Sequence, residues 1–302
     1  MVTYIGSGPY CYANSLVMAL GGPSPDVVEF LTGSAFGFEL IGGTLPLFDP
    51  YGWDPEAGLD QAIGLLGADC ERTDGGTPAR ALARLAAACA DGPVLAGPLD
   101  MGLLLYQPGT PADFGDHYVL VIAVDGDTVL LHDPHGHPYA TIPADAFLAA
   151  WRGAGVPYLT AEYRMRTGFT VRRPVPVADA LRASLPAAAR WLAADDRPVP
   201  AGTLGGAAGL HRLAEQVEAG LSDETRAHLV YFAVRVGARR LADAARHLTA
   251  LDLPAAAAIA TEQARLVGAL QYPLVTGDDK AVAARLRELA PTYERLRAAL
   301  PV

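Results

Sequence analysis

Hydrophobic positions follow two different rhythms along this chain. Up to about residue 174 they gather in short runs, at 93–96, 103–106, 117–124, 128–131 and 163–171, set between glycine, proline and aspartate. Such runs between turn formers predict strands. Earlier segments, 11–20 and 81–89 among them, repeat apolar positions at helical spacing, so helix comes early and sheet late: an α+β organisation. From about residue 177 the period is helical throughout, over 177–194, 204–220, 223–249, 254–270 and 279–299. Ser222 before Asp223, Pro254 in a first turn, and the sequence Thr276-Gly277-Asp278-Asp279 supply the matching start and stop signals. The change of rhythm at Pro174-Val175-Pro176 predicts two domains, 1–175 and 176–302, the second an α-helical bundle.

Composition narrows the class. A chain of 302 residues that is 51% hydrophobic and 19% charged has enough apolar material for a packed core and does not read as disordered. Against 23 basic residues stand 33 acidic ones, a net charge of −10, which argues against a surface for nucleic acid or anionic membrane. No apolar run reaches the roughly 18 residues of a membrane span, and the N-terminus has neither basic start nor apolar run, so a cytoplasmic protein is expected. Three widely separated cysteines, Cys11, Cys70 and Cys89, form no CxxC pair and suggest neither a disulfide framework nor a zinc site. Cys89 lies in a helical apolar pattern, where a thiol acts as a small hydrophobe.

Cys11 has a different setting. Residues 6–22 read as a loop feeding a short helix, with Ser7 as a cap, Pro9 in the first turn and Gly21-Gly22 as the stop. A cysteine in a first helical turn meets free backbone N–H groups and the positive end of the helix dipole, which favour a thiolate. The same N–H groups face the place where an oxyanion would form on an acyl carbon bonded to sulfur. Taken alone, the segment fits a packed structural cysteine about as well.

A second segment bears on the choice. Residues 115–134 read as a hairpin turning at Asp125-Gly126, with His117 and the pair His132-Asp133 at its open end. A neutral imidazole accepts the thiol proton, and a carboxylate on its other nitrogen fixes the tautomer. A two-residue turn puts His117 opposite Pro134; a three-residue loop puts Val119 opposite Asp133, leaving Asp133 on the face of His117. Both registers remain open. Asp116 and His132 rank below His117 and Asp133, because alternate strand residues face away from the cleft.

The segments Gly8-Pro9-Tyr10-Cys11-Tyr12-Ala13-Asn14-Ser15-Leu16, Asp116-His117-Tyr118-Val119-Leu120-Val121 and Leu131-His132-Asp133-Pro134 resemble the butirosin biosynthesis protein H family, over about residues 5–175. Similar patterns occur in peptidases that remove double-glycine leaders. The order Cys, His, Asp agrees, with separations of 106 and 16 positions. The resemblance implies a papain-like fold and a Cys11, His117, Asp133 triad in natural-product biosynthesis. It further implies acyl transfer from the phosphopantetheine thioester of an acyl or peptidyl carrier protein, through Cys11, to a small-molecule amine. No cofactor or metal is implied beyond that pantetheine. One departure is that papain-like enzymes use a glutamine shortly before the nucleophile for the oxyanion, and residues 1–10 contain none. Ser7, Tyr4 and Asn14 are the substitutes to weigh, alongside backbone N–H groups alone.

Other signals rank lower. Asp100, after an apolar strand, is a candidate to recognise an amine. His132, His135 and His137 fit no metal-binding face. Arg164, Arg166, Arg172 and Arg173 form a basic run suited to a phosphate or an acidic carrier protein, although a solvated strand face explains it more simply. The helical region offers a lid, a homodimer surface, a docking face or plain support. Competing functions are a peptidase or amidase, a thioesterase or cyclase, and a papain-like binding protein without turnover.

Overall fold

The computed structural model describes residues 2–6, 9–107, 109, 115–194 and 197–301. In chain order the first elements are helices α1 (Cys11–Leu20) and α2 (Pro25–Thr32), strands β1 (Glu39–Ile41) and β2 (Leu45–Leu47), helix α3 (Pro55–Leu65), strand β3 (Ala68–Thr73), helix α4 (Pro78–Asp91) and strand β4 (Val94–Asp100). There follow strands β5 (Asp116–Asp125), β6 (Thr128–Asp133) and β7 (His137–Pro143), helix α5 (Ala144–Trp151) and strand β8 (Met165–Val171). The remainder is α6 (Val177–Ala193), the short β9 (Leu204–Gly205), α7 (Gly206–Ala219), α8 (Asp223–His228), α9 (Val234–Ala250), α10 (Pro254–Gly268), α11 (Gln271–Thr276) and α12 (Asp279–Ala299). No helix among the described residues is long and apolar enough to cross a membrane.

The chain forms two compact units, one of residues 1–28 with 66–174, the other of residues 29–65 with 175–302. The crossing at 174/175 lies where the rhythm changes, but residues 29–65, read above as part of the N-terminal domain, belong with the helical residues. Long-range pairing accounts for this. β1 pairs β2 on one side and β9, more than 160 residues later, on the other.

The first unit is built on a six-stranded antiparallel sheet of order β3-β8-β4-β5-β6-β7. Its core joins Val94, Ala96, Val119, Val121, Val129 and Leu131 from the strands to Leu85 of α4 and to Phe147 and Trp151 of α5. The run 103–106 is not a strand. The Asp100 carboxylate accepts from the Gly102 N–H at 2.9 Å, opening a 3-10 turn over Met101–Leu103. α1 packs along β5, and its Ser15 hydroxyl donates to the Tyr118 carbonyl at 3.2 Å, one residue past His117.

In the second unit, α7 packs on α12, α9 on α10 and α10 on α12, burying Leu210, Leu213, Leu248, Val267, Leu286 and Leu289. Ser222 caps α8 and Asp278 caps α12 through their side chains, and Pro254 opens α10. The helix expected over 223–249 is interrupted by a π turn at Leu229–Ala233. Within this unit the buried Arg240 guanidinium pairs with Glu29 at 2.5 Å and with Asp49, tying residues 29–65 to α9. Removing the cation leaves two carboxylates buried without their counterion, so Arg240→Leu is expected to cost about 3–5 kcal/mol. A fall in the urea unfolding midpoint measures it.

Candidate active site

Cys11 is the first residue of α1 and is half-buried. The residue before it, Tyr10, occupies the left-handed region at φ 82°, a conformation that costs a non-glycine residue free energy. That bend needs an anchor. The buried Asn14 amide supplies one, donating to the Tyr10 carbonyl at 2.8 Å, while the Asn14 peptide N–H bonds the same oxygen at 2.8 Å. The Asn14 amide thus caps the bend, its N–H groups directed at the Tyr10 and Pro9 carbonyls. No side chain caps the helix through Tyr10, Pro9 precedes the helix, and Gly21 ends it at φ 78°. Ser7 lies outside the described residues.

His117 stands near the start of β5, just beyond a register shift in the β4–β5 ladder between Ala96 and Leu99. Bulges of this kind bend a strand and re-aim the side chains beside them. A second shift decides the partner. The hairpin turns at Gly126-Asp127, one residue later than expected, with Asp125 opposite Thr128 and Gly126 at φ 54°. Continued without a break, that register would put Asp133 opposite Leu120. A shift between Val121 and Ala123 absorbs Ile122 and places Leu120 opposite His132 instead. Asp133 thereby falls opposite Val119 and on the face of His117, as the longer-loop register required.

The two side chains meet at 2.7 Å, from His117 Nε2 to Asp133 Oδ1, both buried. Cys11 lies beside the His117 ring, close enough to bear on its charge. With Nε2 held by Asp133, Nδ1 is the ring nitrogen left to serve a thiol. Burial disfavours the imidazolium, but the Asp133 carboxylate, and after it Cys11, outweigh burial and hold His117 well above its ordinary pKa.

Asp133 is wholly buried and fully bonded. Oδ1 also accepts from the His135 peptide N–H at 2.7 Å, and Oδ2 accepts from the Tyr106 hydroxyl at 3.0 Å and from the Gln107 amide. Burial alone would raise this carboxyl, yet His117, then the His135 N–H and the Tyr106 hydroxyl, bring it down to about 2. Tyr106 itself is raised by burial and by the neighbouring carboxylate. Sequence pattern points to neither residue: Tyr106 ends the apolar run 103–106 that reads as a strand, and Gln107 follows it with no pattern of its own.

Several expected residues have other work. The Tyr4 hydroxyl donates to the Asp133 carbonyl at 3.1 Å and accepts from the Gly136 N–H at 3.0 Å, bracing the turn after β6 rather than facing an oxyanion. Gly6 fits against the same turn, where a Cβ would come within 2.5 Å of the Pro134 carbonyl. Asp100 caps the 3-10 turn, and Asp116 accepts from the Tyr158 hydroxyl. His132 accepts from the Tyr139 N–H at 3.1 Å and faces the Val2 carbonyl at 3.3 Å; burial lowers its pKa. The arginine run is a solvated face over only half its length. Arg164 and Arg166 are buried, Arg164 pairing with Asp74 at 3.1 Å, and only Arg172 and Arg173 are exposed. Burial pushes the Cys89 thiol up to about 11, as suits a packed hydrophobe.

Residues 200–301 match a family described as the YobF C-terminal domain. Across 98% of its length the chain is also similar to the uncharacterized protein YobF of Bacillus subtilis strain 168, with 29% identity over 315 aligned positions covering 97% of that relative.

The pair of shifted pKa values sets a pH dependence of stability. Asp133 is depressed, so its contribution is present above its ordinary value of 3.8 and is lost as pH falls towards about 2. His117 is raised, so its contribution is present below 6.5 and is lost as pH rises through its higher folded value. Urea midpoints across the acid range should therefore fall steeply below pH 4 in the parent and more shallowly in Asp133→Asn.

Proposed function

We propose that the first unit is a papain-like cysteine enzyme in which Cys11 is the nucleophile, His117 the base and Asp133 the orienting carboxylate. The observation that carries this reading is the contact chain itself. A half-buried thiol at the start of a helix lies beside an imidazole whose Nε2 is 2.7 Å from a buried, fully bonded carboxylate. A purely structural cysteine needs none of these. The protein acts in the cytoplasm, and its reaction is acyl transfer in natural-product biosynthesis.

The acyl group comes from the phosphopantetheine thioester of an acyl or peptidyl carrier protein. Nδ1 of His117 takes the Cys11 proton, and the sulfur attacks the thioester carbonyl. The bond from carbonyl carbon to pantetheine sulfur breaks, and the proton passes to the departing thiol. One thioester replaces another at little cost in free energy, so a thiol suits the first step. A small-molecule amine then attacks acyl-Cys11, His117 takes the amine proton, and Cys11 leaves as thiol from the new amide. Asp133 steadies the imidazolium in both half-reactions without leaving its anionic form.

The oxyanion is met by backbone N–H groups of the first turn of α1, where helical hydrogen bonding supplies no carbonyl. This reading is favoured because Tyr4 and Asn14 are committed elsewhere.

Incubation with an acylated carrier protein, or with S-acetyl-N-acetylcysteamine, is expected to add one acyl mass to the intact protein, mapped to Cys11. Cys11→Ala should accept none, and His117→Ala should acylate about 10²–10⁴-fold more slowly. Full turnover in Cys11→Ala refutes the reading. Product analysis with an added amine distinguishes transfer from hydrolysis.

A further inference from the structure

An ionised carboxylate only accepts hydrogen bonds, so the amide that touches Asp133 Oδ2 presents its Nε2 there. That fixes the Gln107 orientation and turns its Oε1 to His135, 3.1 Å from Nδ1. An amide oxygen also only accepts, so His135 carries a hydrogen on Nδ1. On the other side of the carboxylate, His117 gives its Nε2–H to Oδ1. The donors therefore converge on Asp133 from both directions: His135 into Gln107, Gln107 into the carboxylate, and His117 into the same carboxylate. His135 is engaged twice, since its peptide N–H also bonds Oδ1 at 2.7 Å, and its ring stands edge-on to that of His117 with centroids 6.2 Å apart.

We propose that Gln107 and His135 are positioning residues of the Cys11 site: their relay locks the plane of the Asp133 carboxylate, and so keeps Nδ1 of His117 turned to the thiol. This rests on the cysteine-enzyme reading above. The geometry gives the reason. Each carboxylate oxygen takes two donors, and the plane is set only while both oxygens keep theirs. Without Gln107, Oδ2 retains Tyr106 alone, and rotation of the carboxylate swings Oδ1 off the line to His117. Tyr106 differs from Gln107 in that Gln107 has a second anchor, His135, that defines its direction.

Two readouts on the full chain test this. Long-range ¹H–¹⁵N correlations of the imidazoles should show His135 as the Nδ1–H tautomer. In Gln107→Met that preference should be lost, because an unconstrained neutral imidazole favours Nε2–H. In parallel, acetylation of Cys11 by S-acetyl-N-acetylcysteamine should slow about 10-fold in Gln107→Met and His135→Leu. His135→Asn, whose Nδ2 reproduces the Nδ1 donor, should recover to within about threefold of the parent, a rescue that a bulk-packing role does not give. A parent His135 in the Nε2–H tautomer overturns the proposal without any variant. So does acetylation at the parent rate in both Gln107→Met and His135→Leu. A parent protein that is never acetylated on Cys11 refutes the enzyme reading, and this one with it.

Discussion

The Asp133 carboxylate is the constraint on which the site depends. It is wholly buried, and a buried charge is tolerated only when its lone pairs are met. Here His117, the His135 peptide, Tyr106 and Gln107 meet them. The four donors arrive on three pieces of local structure: His117 on β5, the His135 peptide in the turn after β6, and Tyr106 and Gln107 together on the irregular segment that follows the 3-10 turn. The carboxylate therefore fixes more than the tautomer of one histidine. It draws three segments to a point, and the thiol of α1 meets the imidazole at that point.

Two of those placements depend on departures from regular structure. The register shift that absorbs Ile122 returns Asp133 to the His117 face, and the left-handed Tyr10, tied down by Asn14, starts α1 directly at Cys11. Strain and irregularity concentrate at sites where geometry matters more than local stability. The second unit shows the same economy of buried charge in Arg240, held between Glu29 and Asp49. There the pairing joins distant segments of chain and presents no nucleophile.

Much of this was legible beforehand, for physical reasons. β5 and β6 announce themselves as apolar runs around a glycine turn, and the helices after 177 by their period and by caps such as Ser222 and Asp278. Cys11, His117 and Asp133 stood out because their types and order carry chemistry. What could not be read was non-local or irregular. The pairing of β1 with β9 joins residues more than 160 apart, and β3 and β7 alternate too weakly to mark themselves. Gln107 follows a 3-10 turn that imitates a strand in composition. Tyr4 and Asn14 were plausible oxyanion donors by type, and only their backbone partners reveal that they brace turns.

The most direct measurement of the central claim is the relative rate at which iodoacetamide at pH 7 alkylates the three thiols, resolved by peptide mapping. The account predicts that Cys11 reacts far faster than Cys70 and Cys89, and that His117→Ala removes most of that advantage, since the imidazole is what draws off the proton. A Cys11 that reacts no faster than Cys70, or whose rate is unchanged by His117→Ala, would contradict it.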